Sequence, residues 1–348
     1  MIPSGAHPAP RRCRAAPISV LLPVRNGAEH LPECIASLRA QTDGDFEVVA
    51  VDDGSQDATQ DLLHDWASAD SRVRVIAQEP SGLVVALERA RAHASGVWLA
   101  RMDADDTALP GRFGAQRALM ESDPSVVGCG CGVRYVPRER VRGGALRYER
   151  WLNSLTTSDA LARDMFVECP LAHPAFFLRA DVVAAVRGYR DLGWPEDYDL
   201  ILRLWRAGGR FGTVPEVLLH WREGERRLSR THPSYSHEAF RRCKAHHLAA
   251  SLLSGRDGVV VWGAGPTGKS FARALEGEGV RIRAFVDLDP RKVGQYIRGA
   301  PVLLPAGIQE YRDAFCVAAV GRLGAREEIR ASLVALGWRE GPDFVAVA

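Results

Sequence analysis

Three stretches decide the fold: ISVLLPV (18–24), FEVVAVDDGSQD (46–57) and GVWLARMDADD (96–106). Each is a short apolar run of strand length that ends in a turn, and the last two end on carboxylates. Between them lie helical patterns. Leu31, Cys34, Ile35 and Leu38 recur at helical spacing over about 30–40, ATQDLLHDWASA (58–69) follows the second run, and VRVIAQ (73–78) and LVVALERARAHA (83–94) precede the third. Strand, helix, strand in repetition predicts an α/β fold with a mostly parallel sheet and helices on both faces. Ligands of such sheets bind beyond the carboxyl ends of the strands, so the chemistry is expected at DDGS and at MDADD.

The rest of the chain bounds this reading. It has 348 residues, enough for two domains, with 46% hydrophobic and 25% charged residues and a formal net charge of +2. That charge argues against a nucleic-acid partner. The Pro-, Ala- and Arg-rich start has no signal-peptide core and reads as a disordered leader over 1–17. Cys129 and Cys131, in VVGCGCGV, read as small residues on a buried strand rather than as a zinc site. With unpaired cysteines and no bilayer-length apolar run, a cytoplasmic protein is expected, working at the inner face of the membrane if its acceptor lies there. The region 128–219 is less regular: strand-like VVGCGCGVRYV and FFL, then the helix YDLILRLWRAG. A helical linker (233–256) ends in SGRDG, and a fresh strand–helix–strand unit opens at 257.

Three acidic motifs carry chemistry. Asp103, Asp105 and Asp106 crowd the end of a strand, where a hard divalent cation, Mg²⁺ or Mn²⁺, is the natural compensation; a solvated acidic turn is the bland alternative. Asp52 and Asp53 end another strand, placed to accept hydrogen bonds from a base or ribose, or simply to make a turn with Ser55 or Asp57 capping the next helix. Glu196 and Asp197 open an amphipathic helix, where the dipole favours acids and where a carboxylate can deprotonate an attacking hydroxyl.

Taken in order, PISVLLPVRNGAEHLPECIASLRAQTDGDFEVVAVDDGSQD (17–57), ARMDADDTALPGRF (100–113), HPAFFLRADVV (173–183) and PEDYDLILRLWRAGG (195–209) resemble the family 2 glycosyltransferases of the GT-A fold over about 18–229. The resemblance implies a GT-A domain at 18–232 and an inverting, metal-dependent transfer from a nucleotide-sugar donor to a glycan, lipid-linked or protein acceptor. It implies that Pro23, Val24 and Arg25 line the base with Asp52 and Asp53, and that Asp53 holds it. Asp103 and Asp105 would sit at ribose, diphosphate and metal, with Asp105 the direct ligand. Asp197 would be the general base and Glu196 a supporting acid. His173 has no clear role and reads equally as a structural turn.

Two arginine-rich segments, PRERVRGGALRYER (137–150) and WREGERRLSRTH (221–232), read either as phosphate-binding, one for donor diphosphate and the other for a phosphorylated or lipid-linked acceptor, or as solvated surface; peripheral membrane contact is a further expectation. In VVVWGAGPTGKSFARAL (259–275), Gly263, Gly265 and Gly268 form G-x-G-x-x-G between a strand and a helix, and Asp287 ends the next strand. A Rossmann-like domain (257–348) with a second nucleotide site is expected. The glycine turn also supports two other functions, an NAD-linked oxidoreductase or a sugar-nucleotide-binding regulatory protein. No hydride-transfer residue is evident.

Overall fold

The structure is a computed structural model that describes residues 17–224 and 227–348. The expected leader, apart from Pro17, lies outside the described residues, as does Arg226. Two sheets organise the chain.

The first contains β1 (Ile18–Val24), β2 (Phe46–Asp53), β3 (Val73–Gln78), β4 (Trp98–Arg101), β5 (Thr107–Ala108), β6 (Val126–Val136), β7 (Phe177–Arg179) and β8 (Arg210–Arg222), in the order β3-β2-β1-β4-β7-β6-β8-β5. All seven residues of β1 are buried, because helices cover both faces of a parallel strand. β1 pairs in parallel with β2 and β4, and β2 with β3, so the ends of β1, β2 and β4 open on one edge. β7 runs antiparallel to β4 and β6, while β6 and β8 are parallel.

The strand-like runs and the helix expected within 128–219 form, and β8 adds a thirteen-residue strand that the sequence pattern does not reveal. Pro215 hides it, because proline in a run argues against a central strand. The register passes from Cys131↔Val214 to Gly132↔Val217, so Pro215 and Glu216 are bulged out of the ladder. Cys129 and Cys131 are buried on β6 as small side chains, and both are free thiols.

The second sheet contains β9 (Val259–Trp262), β10 (Ile282–Val286), β11 (Tyr296–Ile297), β12 (Ala300–Leu303), β13 (Phe315–Ala318) and β14 (Phe344–Ala346), in the order β11-β12-β10-β9-β13-β14. Five strands are parallel and β11 is an antiparallel edge. The strand order reverses between β9 and β13, the switch point at which open α/β sheets bind ligands.

The two sheets share a core. One apolar cluster runs from Leu21 and Val51 through Tyr198 and Ile201 to Val259, Val261 and Phe271. The helix His237–Ala249 lies between them, and its buried Lys244 donates to the carbonyls of Val167 (2.5 Å) and Val347 (3.0 Å). Asp164, on the first side, accepts from Trp151 Nε1 (2.9 Å) and from Arg330 (2.6 Å) on the second.

Candidate functional site

At the end of β1, Pro23 and Val24 are buried and Arg25 emerges half exposed, its Nη1 3.8 Å from Asp53 Oδ2. The loop after β1 is stitched to the loop after β2. Asn26 donates its N–H to Ser55 Oγ (2.9 Å), Gly27 to Thr59 Oγ1 (2.8 Å) and Ala28 to Asp57 Oδ2 (3.1 Å). Ser55 is therefore spent on this seam, and Asp57 receives Thr59 N (3.0 Å) at the start of the helix. Asp52 Oδ1 accepts Ser55 N (3.1 Å). Asp53 accepts Gln78 Nε2, Ser81 N and Gly82 N, all within 2.9 Å. A carboxylate has about four lone-pair sites, so Asp53 orders the loop after β3 and keeps one for a ligand. Gly54, at φ +67°, makes the turn; a Cβ there would meet Pro80 at 2.5 Å.

Beyond β4, carboxylate oxygens of Asp103, Asp105 and Asp106 lie within 4.8 Å of one another. Asp106 Oδ1 accepts Arg222 N (2.7 Å), while its buried Oδ2 has no partner among the described residues. Burial, then repulsion from Asp103, pushes Asp105 and Asp106 up from the ordinary carboxylate range. An orphaned oxygen beside two further acids fits a hard cation held by oxygen ligands. Arginines frame the cluster. Arg101, buried at the end of β4, contacts Asp103. Arg222 Nε donates to the Asp105 carbonyl (2.8 Å), and Arg227 lies 4.5 Å over the Trp221 ring.

Pro195 starts the helix Glu196–Arg206, which sets Glu196 and Asp197 side by side. Tyr235 Oη donates to the Glu196 carboxylate at 2.6 and 2.8 Å, and His173 Nδ1 is 3.5 Å away. Among the described residues, Asp197 Oδ1 accepts just its neighbour's N–H, from Tyr198 (2.7 Å). Burial, and then the Glu196 charge, push Asp197 up to about 8. His173 is kept neutral by burial and by Arg101. Its Nε2 meets Tyr189 Oη (3.1 Å). Arg101 thus contacts Asp103 and its charge also reaches Glu196 and Asp197, which couples the acidic cluster to the helix start electrostatically.

Arg101, Tyr189 and Tyr235 escaped the sequence reading. Arg101 is embedded in an apolar strand, and nothing in its neighbourhood marks it; a lone charge at the end of such a run was the available signal. Tyr235 is contributed by the segment expected to be linker. The first basic segment splits from the site: Arg138, Arg140, Arg142, Arg147 and Arg150 are all exposed, and Arg138 pairs with Glu149 at 2.6 Å. In the second, Arg230 contacts Glu223.

Gly263, Gly265 and Gly268 lie together at the second sheet's switch point. A Cβ at Gly268 would sit 1.8 Å from the Gly263 carbonyl, one at Gly263 2.7 Å from the Ala319 carbonyl, and one at Gly265 in open space. Asp287 accepts Ala264 N (2.9 Å), Asp289 N (2.9 Å) and Lys292 Nζ (2.9 Å), bracing the turn.

Residues 19–187 match the family described as Glycosyl transferase family 2. The amylovoran biosynthesis glycosyltransferase AmsE of Erwinia amylovora is 32% identical over 209 residues, 59% of this chain and 76% of the relative. The O-antigen biosynthesis glycosyltransferase WbnJ of Escherichia coli is 30% identical over 210 residues, 59% of this chain and 79% of the relative. Among solved structures, S. aureus TarS 1–349 in complex with UDP-GlcNAc superposes with a TM-score of 0.52 at 17% identity, covering 67% of each chain, a likeness of fold.

Proposed function

The chain belongs to glycosyl transferase family 2, a family of GT-A glycosyltransferases, and from that premise we propose that it is an inverting, metal-dependent enzyme using a nucleotide-sugar donor. The observation that carries this is the acidic cluster of Asp103, Asp105 and Asp106 at the end of β4, coupled through the buried Arg101 to Glu196 and Asp197, with Asp52 and Asp53 at the end of β2, a parallel strand of the same sheet. The base would lie by Pro23, Val24 and Arg25, with the last lone pair of Asp53 on a base N–H and Asp52 beside it. Asp103 and Asp105 would hold Mg²⁺ or Mn²⁺ with Asp106, and the ion supplies charge neutralisation to the departing diphosphate. Arg222 and Arg227 add fixed positive charge beside it.

Asp197 is the general base. The acceptor O–H proton passes to its carboxylate, the acceptor oxygen bonds to the anomeric carbon, and the carbon–oxygen bond to phosphate breaks with its electron pair leaving on the nucleoside diphosphate. Displacement from the opposite face inverts the centre, and no protein nucleophile is required. Relatives named for amylovoran and O-antigen biosynthesis support a glycan or lipid-linked acceptor. No helix of the described residues is long and apolar enough to cross a membrane. The exposed arginines of 138–150 suit peripheral contact with an anionic surface.

The test is release of nucleoside diphosphate from a panel of nucleotide sugars, with the product's anomeric configuration read by NMR. Asp105→Ala should abolish transfer, and excess chelator should do the same to the wild type. Undiminished transfer in chelator sinks the metal assignment; a retained configuration sinks the inverting one.

A further inference from the structure

We propose that the second sheet holds a separate binding site for a nucleoside diphosphate, independent of the donor site and of the transferase reading. A cavity of about 420 Å³ opens at the carboxyl ends of β9, β10 and β13. That is within the roughly 300–1,000 Å³ of small-molecule sites, and it lies at the switch point of the strand order. No acidic residue of the transferase basin lines it.

The walls sort by chemistry. On one side is the turn carrying Gly265, from which the twelve-residue helix Pro266–Gly277 departs. Pro266 has no N–H, so the helix offers the N–H groups of Thr267 and Gly268, which lack intrahelical acceptors and favour an anion. Gly263 and Gly268 are needed for packing, since Cβ atoms there would strike carbonyls, but Gly265 is not. Its missing side chain serves only to leave the cavity free, which is what close approach of a phosphate requires. Lys292, paired with Asp287, and Arg322, paired with Glu328, also line the cavity, and each keeps further N–H donors for an anion. On the other side Leu288, directly after Asp287, lines the same space yet stays 64% exposed. Beside the buried wall of Val286, it offers an apolar surface that a flat base would cover. Asp287, already braced, keeps one lone pair toward a ribose hydroxyl.

The strand order marks the ligand as one nucleotide rather than two. β9, β10 and β12 make one complete mononucleotide half, but only β13 and β14 follow on the other side among the described residues. A dinucleotide crevice is built from two full halves.

Hydrogen–deuterium exchange of the full chain with saturating ADP, UDP, GDP or CDP, and separately with NAD, locates each site. At least one diphosphate should slow exchange in 262–270 and 286–293. Gly265→Val should remove that protection while leaving glycosyl transfer and protection of 51–57 and 100–108 intact. Gly265 has φ −86° and an open Cβ position, so valine fits the fold. Leu288→Ser, at an exposed position, should weaken the same protection and serves as the second variant. Absence of protection at 262–270 with every diphosphate overturns the proposal. So does protection that survives Gly265→Val, and so does protection by NAD alone. Failure of the donor site would show instead as unprotected 51–57 and 100–108, whatever happens at 262–270.

Discussion

Glu196 and Asp197 share a helix turn but not a fate. Tyr235 ties both oxygens of Glu196, while Asp197 is left with one backbone donor. That difference selects Asp197 as the base. Asp197→Asn should lower turnover on the order of 10²–10⁴-fold with little change in donor affinity. Because its pKa is raised to about 8 by burial and by Glu196, the free enzyme holds it protonated below that pH. A base must be ionised, so kcat/KM should climb as pH rises through about 8, and a flat profile would move the base elsewhere. Tyr235 acts through its neighbour as a positioning residue. In Tyr235→Phe, Glu196 loses the donor that favours its charged form and protonates more readily. Repulsion on Asp197 then falls, so the pH midpoint should shift down while the plateau above it changes little. An unmoved midpoint would reduce Tyr235 to a packing residue.

At the level of elements, β6 and β8 show what a strand pattern conceals. Gly132 faces the Pro215–Glu216 bulge so closely that a Cβ would lie 2.8 Å from the Glu216 carbonyl and 2.9 Å from that of Pro215. Gly132→Val should destabilise the fold by about 1–3 kcal/mol, seen as a lower midpoint in urea, since backbone on both sides cannot yield. An unchanged midpoint would mean the bulge is soft. The strands β1, β2, β3 and β6 were legible because each is an apolar run bounded by turn residues, and the acidic motifs because carboxylates rarely end buried strands without reason. β8 was not legible, since proline and a two-residue bulge break its period. Nor could spacing place Arg101 within electrostatic reach of Glu196, because the two are nearly a hundred residues apart in the chain. The second sheet read as a short nucleotide-binding unit; its five parallel strands emerge only once β12 to β14 are placed beside the glycine turn.

Across the whole molecule, the two sheets are joined by buried polar groups as well as by the shared core. Asp164 is 2% exposed and takes Arg330 (2.6 Å), Arg326 (3.5 Å) and Arg163 (3.0 Å). Burial opposes its charge, but Trp151 and the arginines outweigh that and hold it below its usual range. A lowered carboxylate contributes stability that is full above its unfolded pKa of about 3.9 and is lost as pH falls further. Asp164→Ala leaves Arg330 with Glu340 (2.7 Å) and Trp151 Nε1 without its acceptor, and should cost about 1–3 kcal/mol. Parting the sheets would take one of its two carbonyls from Lys244 and both Arg326 and Arg330 from Asp164, so calorimetry should show one unfolding transition, and two well-separated ones would refute the coupling. The helix Ala325–Ala335 carries Arg326 and Arg330 on one side and walls the 420 Å³ cavity with Glu328, Ile329 and Ser332 on the other. One helix therefore touches both the cavity and the seam between the sheets. A guest that contacts it favours the folded chain alone, so occupancy of the cavity should raise the temperature of that single unfolding transition.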